Sequence, residues 1–327
     1  MRFRRTALVL GSALAGLFVC EIAVRGLGLA PTFAVVPFGA VVTSADPELL
    51  WEPNAGHGSM NQAGFRGAEL ETPKARTRIV FAGDSIAYGI ELDDDQTIPA
   101  RLEERLRAGG LDAEVLNLGV AGYNTIQEAR RLEILLPKLE ADQVILLFCL
   151  NDFQALDRLP EGVARKAAMD GAGQALRIVH RTSTSSELER VLSRVSHLYR
   201  LVSGAFAPKR SKTIGSQERK AAFDDNSVVE KGFDRIAAVS QGLGLPVSVA
   251  VMPSMTRKPV YHRTEEHELV ARLAEARGFR VLDLTEAVRE ELIGKGRELS
   301  LPGDRLHPNA DGADVVAEAM ARWLLGG

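Results

Sequence analysis

Five short apolar runs separated by stretches of helical periodicity constrain this 327-residue chain more than any other feature. The first, Arg78-Ile79-Val80-Phe81-Ala82, is β-branched and apolar and stops at Gly83-Asp84-Ser85, which reads as a buried strand meeting a turn. Ala113 to Leu118, Val144 to Cys149, Pro246 to Met252 and Arg280 to Asp283 repeat the pattern. Between them Asp93 to Arg107, Thr125 to about Leu139, Val228 to Leu243, Glu265 to Arg277 and Glu286 to Ile293 read as helices. In the last helix Val316, Ala319, Met320 and Trp323 fall on one face. Strand and helix in alternation predict an α/β fold, a parallel sheet covered by helices on both faces.

In open parallel sheets ligands bind beyond the carboxyl ends of the strands, so the polar residues delivered there matter most. They are Ser85, the stretch Gly119-Val120-Ala121-Gly122-Tyr123-Asn124, Asn151-Asp152, and Asp304 with His307 ahead of the last helix. A serine hydroxyl is a poor nucleophile unless a base takes its proton and a third group orients that base. Of six histidines, His307 is the best base, because it lies in a loop directly before a helix. Asp304, three residues earlier, is near enough in sequence for its carboxylate to reach the imidazole. Singly, Gly-Asp-Ser is a common turn tripeptide and Asp-x-x-His common helix-start chemistry. Their order and context together point to a catalytic constellation.

With these residues in place the chain resembles the SGNH or GDSL hydrolase family over residues 76–327. Phe81-Ala82-Gly83-Asp84-Ser85 is similar to the family's first block, with Ser85 at the nucleophile position. Asn117 to Gly122 resembles the second, in which the Gly122 N–H faces the oxyanion; Asn151-Asp152 resembles the third, whose asparagine adds another oxyanion donor. Asp304-Arg305-Leu306-His307 resembles the last, with the acid and the base. The resemblance implies a flavodoxin-like sheet, a catalytic triad of Ser85, His307 and Asp304, and an oxyanion hole of the Ser85 and Gly122 N–H groups and the Asn151 amide. Converging donors of this kind are what a tetrahedral oxyanion needs. Asp84 and Asp152 fit loop bracing better than catalysis. One position departs from the family: Cys149 stands where a glycine is usual, which predicts a tighter strand end, with the cysteine inside the strand.

Other chemistries fit less well. Gly83-Asp84-Ser85-Ile86-Ala87 ends in alanine, not the glycine of an α/β-hydrolase elbow, and no Gly-x-Gly-x-x-Gly follows the first strand. His262 and His267 are five apart, on different helix faces, which disfavours a metal pair. A two-carboxylate glycosidase using Asp84 and Asp304 would leave Ser85 and His307 without work. A net charge of −3 gives no general attraction to nucleic acid. Cys20 and Cys149 cannot make a disulfide framework. No metal and no cofactor are expected.

Outside the hydrolase region three stretches remain. Arg2, Arg4 and Arg5 precede a run from Thr6 to Val24 whose only charge is Glu21. Nineteen helical residues span about 28 Å, near the roughly 30 Å of a bilayer core, so residues 1–25 read as a signal anchor with the N-terminus in the cytoplasm. A cleaved signal peptide at Gly28-Leu29-Ala30, blocked by Pro31, and a lipoprotein signal at Cys20 are the alternatives. Residues 26–75 read as a connector that packs partly on the domain, since Trp51 and Phe65 would be wasted in solvent; Asn61 to Arg66 reads as a docking turn. Residues 153–226 read as a helical insertion, with a possible capping box at Ser186 and Glu189. Between 153 and 220 Lys and Arg outnumber Asp and Glu by seven; this is a solvated surface or a basic lid facing anionic lipid or polymer.

The resulting expectation is a single-pass membrane protein with its catalytic domain outside the cytoplasm, periplasmic or extracellular. It would be a serine esterase acting on small O-acyl groups, such as O-acetyl esters of a small molecule or of an envelope or extracellular glycan. An O-acyltransferase with the same triad and a non-catalytic envelope scaffold are the rival readings.

Overall fold

The computed structural model describes residues 2–27, 40–153, 196–206, 226–302 and 304–326. The chain opens with helix α1 (Arg2–Gly26). A small antiparallel ribbon follows, β1 (Val41–Thr43) with β2 (Trp51–Pro53). The main domain then runs through β3 (Thr77–Gly83), α2 (Ser85–Tyr88), α3 (Ile98–Ala108), β4 (Ala113–Asn117), α4 (Thr125–Leu139) and β5 (Gln143–Phe148). After α5 (His197–Phe206) come α6 (Ser227–Gly242), β6 (Val247–Val251), α7 (Thr264–Glu275), β7 (Arg280–Asp283), α8 (Thr285–Arg289) and α9 (Ala310–Leu325).

The five strands β3 to β7 form one sheet in the order β4-β3-β5-β6-β7, every pair parallel. This is the flavodoxin-like order 2-1-3-4-5, and its crossover direction reverses between β3 and β5. The pleat sends alternate residues to opposite faces. Ile79 and Phe81 join Leu102, Leu106, Val316 and Met320 under α3 and α9. Val80 and Ala82 join Leu132, Phe233 and Val270 under α4, α6 and α7. The strand ends differ from the sequence reading by one residue in places. One shift matters: β5 ends at Phe148, so Cys149 lies just past the strand, not within it.

The connector is part of the domain. Trp51 is buried in a third apolar cluster with Tyr88, Val120 and Tyr123, and Phe65 is buried in the cluster under α4, α6 and α7. Trp51 Nε1 donates to the Ala121 carbonyl at 3.2 Å, and the Tyr123 hydroxyl donates back to the Trp51 carbonyl. The Asn61 carboxamide accepts the N–H groups of Ala63 and Phe65, closing a turn. From that turn Arg66 donates to the carbonyls of Tyr88, Gly89 and Leu92, next to α2. The β1–β2 ribbon has no counterpart in the sequence reading, because three-residue strands carry no readable period.

By its contacts the chain forms two compact units: Met1–Phe33 with Thr182–Thr213 and Pro302–Asp304, and Ala34–Arg181 with Ile214–Leu301 and Arg305–Gly327. Within the smaller one, the Glu21 carboxylate of α1 accepts the N–H groups of His197 (2.8 Å) and Leu198 (2.9 Å) and the Ser196 hydroxyl (2.8 Å) at the start of α5. The helical form of α1 agrees with the sequence; a full membrane span does not follow. Among the described residues no helix is long and apolar enough to cross a membrane. The uninterrupted apolar stretch of α1, Thr6 to Cys20, covers only about 22 Å of a core of about 30 Å. The capping box at Ser186 and Glu189, most of the 153–226 insertion and the cleavage site at Gly28 to Ala30 lie outside the described residues.

Candidate active site

Ser85 opens α2 directly beyond β3, beside the reversal point of the sheet. Gly83 makes the turn possible. Its φ is +151°, and a Cβ there would lie 2.7 Å from the Ala87 Cβ and 2.9 Å from the Leu147 carbonyl. Asp84 then caps α2, its Oδ1 accepting the Ile86 N–H at 2.8 Å. Ser85 is 8% exposed, so little of it is open to solvent.

The Ser85 Oγ lies 2.9 Å from His307 Nε2. With the imidazole neutral and protonated on Nδ1, Nε2 accepts the serine proton. The loop carrying His307 is pinned on both sides: Met255 N–H donates to the Arg305 carbonyl at 2.7 Å, and Leu301 N–H donates to the His307 carbonyl at 3.0 Å. The segment around Met255 is itself braced, since Ser254 N–H donates to the Tyr261 hydroxyl. That hydroxyl lies 3.0 Å from Nε2 of buried His267, whose Nδ1 faces Asp283 at 3.0 Å. His267 is thus a buried bracing residue, and it does not pair with His262. Asp304 is half-buried, three residues ahead of His307 on the loop.

The Gly119-to-Asn124 loop is laid against the same turn. Val120 N–H donates to the Gly83 carbonyl at 3.0 Å, and a Cβ on Gly119 would lie 2.3 Å from the Tyr88 nitrogen. Gly122 is exposed three residues on, with φ +84°. Asn151 is half-buried past β5, and its Nδ2 donates to Asp84 Oδ2 at 2.7 Å. The second N–H of that amide is available to a ligand. The structure therefore joins Ser85 directly to His307, links Asn151 to Ser85 through Asp84, and ties the Gly122 loop to Gly83.

Cys149 sits at the floor of this group. Its thiol lies 3.0 Å from Asp84 Oδ2 and also touches Asn151 Oδ1. Burial, together with the nearby Asp84 and Asp152 carboxyls, pushes its ionisation far up, so it serves as a hydrogen-bond donor and not as a thiolate nucleophile. Sequence reasoning missed Glu128. It faces Asp84 and Asp152 from α4, where it is 2% exposed. The signal was its place on the stripe Thr125, Glu128, Leu132, Leu136, an acid at helical spacing among core residues.

The arrangement can perform acyl transfer: a nucleophile with its base in contact, and polar donors converging beside it. The profile of the GDSL-like Lipase/Acylhydrolase family matches residues 81–315. No curated protein sequence matches the chain. Similar solved structures include LAE5, an α/β hydrolase from the metagenome of Lake Arreo, Spain, with a TM-score of 0.45 and 17% identity over 76% of this chain and 95% of that one. The acetyl xylan esterase AlAXEase has a TM-score of 0.43 and 16% identity over 74% and 97% of the two chains. A lipase/acylhydrolase from Enterococcus faecalis has a TM-score of 0.43 and 19% identity over 76% and 95%.

Proposed function

The chain belongs to the GDSL-like lipase/acylhydrolase family, and on that basis we propose that it is a serine esterase releasing small acyl groups from hydroxyl-bearing substrates. The observation that carries the reading is the 2.9 Å contact between Ser85 Oγ and His307 Nε2 at the reversal point of the sheet. In this mechanism His307 takes the Ser85 proton as the hydroxyl attacks the ester carbonyl. Asp304 holds the imidazolium, and the developing oxyanion is met by the Ser85 and Gly122 N–H groups and the free Asn151 N–H. His307 then returns the proton to the leaving alcohol. Water, activated by the same imidazole, releases the acid from the acyl-enzyme.

The reading extends to small acyl groups, with O-acetyl esters of an envelope or extracellular glycan as the substrate class. The full chain with an activated acetyl ester tests the reading. Ser85→Ala should lose on the order of 10⁴ or more in kcat; equal rates for the two proteins would leave a non-catalytic scaffold. If a glycan acceptor is acetylated faster than the ester is hydrolysed, the acyltransferase reading replaces it.

Membrane attachment through α1, with the catalytic domain outside the cytoplasm, belongs to the same proposal. Its support is the arginine cluster at positions 2, 4 and 5 and the exposed apolar side chains of Leu17, Phe18, Val19 and Ile22. The full chain should float with anionic vesicles and lose that behaviour when residues 1–26 are deleted. Unchanged flotation would place the attachment elsewhere.

A further inference from the structure

Beneath Ser85 and Asn151 lie three buried carboxyl side chains: Asp84 and Asp152 with no exposure at all, and Glu128 at 2%. The hydrogen-bond donors around them are shared very unequally. Among the described residues Asp84 takes three: the Ile86 N–H at 2.8 Å, Asn151 Nδ2 at 2.7 Å and the Cys149 thiol at 3.0 Å, while the Ser85 hydroxyl, whose proton goes to His307, lies 3.3 Å away. The Asp152 carboxyl takes one, the Cys149 N–H at 2.8 Å on Oδ2, and its Oδ1 has no partner among them. Neither Glu128 oxygen has a partner among the described residues.

Among the described residues the neighbouring elements offer no compensating charge. Arg131, on the next turn of α4, donates to the carbonyls of Leu118 and Gly64. From α6, Gly232 packs on Thr125, while Val229 and Phe233 join the same apolar cluster. Among the described residues the titratable groups that face Glu128 are Asp84 and Asp152; Cys149 lies against Asp84, and His307 lies beyond Ser85. A carboxylate that is buried, unpaired and without donors is far costlier than a carboxylic acid in the same place.

We infer that Glu128 and Asp152 stay protonated at neutral pH and act as positioning residues, leaving the donors to Asp84, which aims the Asn151 amide. Protons on the two acids turn acceptors without partners into donor and acceptor groups. Burial raises both acids, and each raises the other, with Asp84 adding to both. Deprotonation would place a negative charge against Asp84, loosen its grip on Asn151 and misplace an oxyanion donor. The effect on turnover rests on the hydrolase reading above; the protons themselves do not.

Infrared spectra of the full chain at neutral pH test the protons directly. Wild type should show the carbonyl band of a protonated carboxylic acid, with a component lost in Glu128→Gln and another in Asp152→Asn. The pH profile tests the consequence. Wild-type kcat/KM on an activated acetyl ester should fall at alkaline pH by about tenfold per pH unit, in step with bleaching of the band. The Glu128→Gln/Asp152→Asn double variant, which can ionise at neither position, should keep the rate flat through that range. Should either variant fail to fold, the wild-type band and its titration decide alone. Absence of the band at neutral pH overturns the proposal. So does stoichiometric Zn²⁺ bound by wild type and not by Glu128→Gln, because a metal would then be neutralising the acids. If Ser85→Ala kept full activity while the band persisted, the hydrolase reading would fall and the protonated acids would stand.

Discussion

At the start of β3, Arg78 is buried with a full set of partners. Its guanidinium meets Glu114 on β4 at 2.5 Å and donates to the carbonyls of Leu139 and Glu71 at 2.7 and 2.6 Å. Six residues on, just past the other end of the strand, Asp84 is equally buried but has two more carboxyls for company and no cation. Both ends take polar groups out of water, and they offset that cost differently. The first matches charge with charge and closes the bottom of the sheet. The second gathers donors onto one acid and leaves Glu128 and one Asp152 oxygen without any. The candidate site lies at the end whose polar groups are held against their solvation preference, as functional sites often are.

The contrast can be broken at either end. Glu114→Ala would leave Arg78 buried without its counter-charge, and removing one partner of a buried pair costs about 3–5 kcal/mol. Denaturant unfolding should show that loss, with kcat of the folded protein unchanged. Asn151→Ala at the other end should do the reverse, lowering kcat by about 10²–10³ through a lost oxyanion donor with a smaller change in stability. A kcat loss from Glu114→Ala comparable to that of Asn151→Ala would abolish the distinction between the two ends.

A pH series sharpens the comparison. Glu128 and Asp152 have raised ionisation in the folded protein, so the folded state binds protons that the unfolded state has released above the ordinary carboxylate range. Their contribution to stability is therefore complete below that range and is lost as pH rises toward the folded-state values. Glu128→Gln should flatten this decline, as read by unfolding midpoints at several pH values; an unchanged slope would contradict the assignment. The smallest effect belongs to Cys149→Ser, which keeps a donor for Asp84 and should shift stability by about 1 kcal/mol or less.

Much of this was legible in the sequence. Apolar runs such as Val144 to Phe148 announced the strands, because both faces of a parallel sheet are covered. The spacing of the four polar loops brought out Ser85, His307 and Asn151. Other features had no local signature. The protonation of Glu128 depends on which side chains face it from β3 and β5, and one chain read in order does not reveal that. The placing of Cys149 past the strand turned on a single residue of register. The reading of residues 1–25 could not foresee the partners of Glu21, which lie at the start of a helix some 175 residues away.

The bond pair between Trp51 and the Ala121–Tyr123 loop bears on how the domain can be cut. Recognisable family sequence begins at residue 81, yet the loop that carries Gly122 leans on a tryptophan thirty residues before that point. A proteolytic fragment starting at the family boundary would keep every residue of the candidate triad and lose the scaffold of one oxyanion donor. The smallest unit able to work is therefore longer than the unit that similarity outlines, and it reaches back at least to the ribbon at Val41.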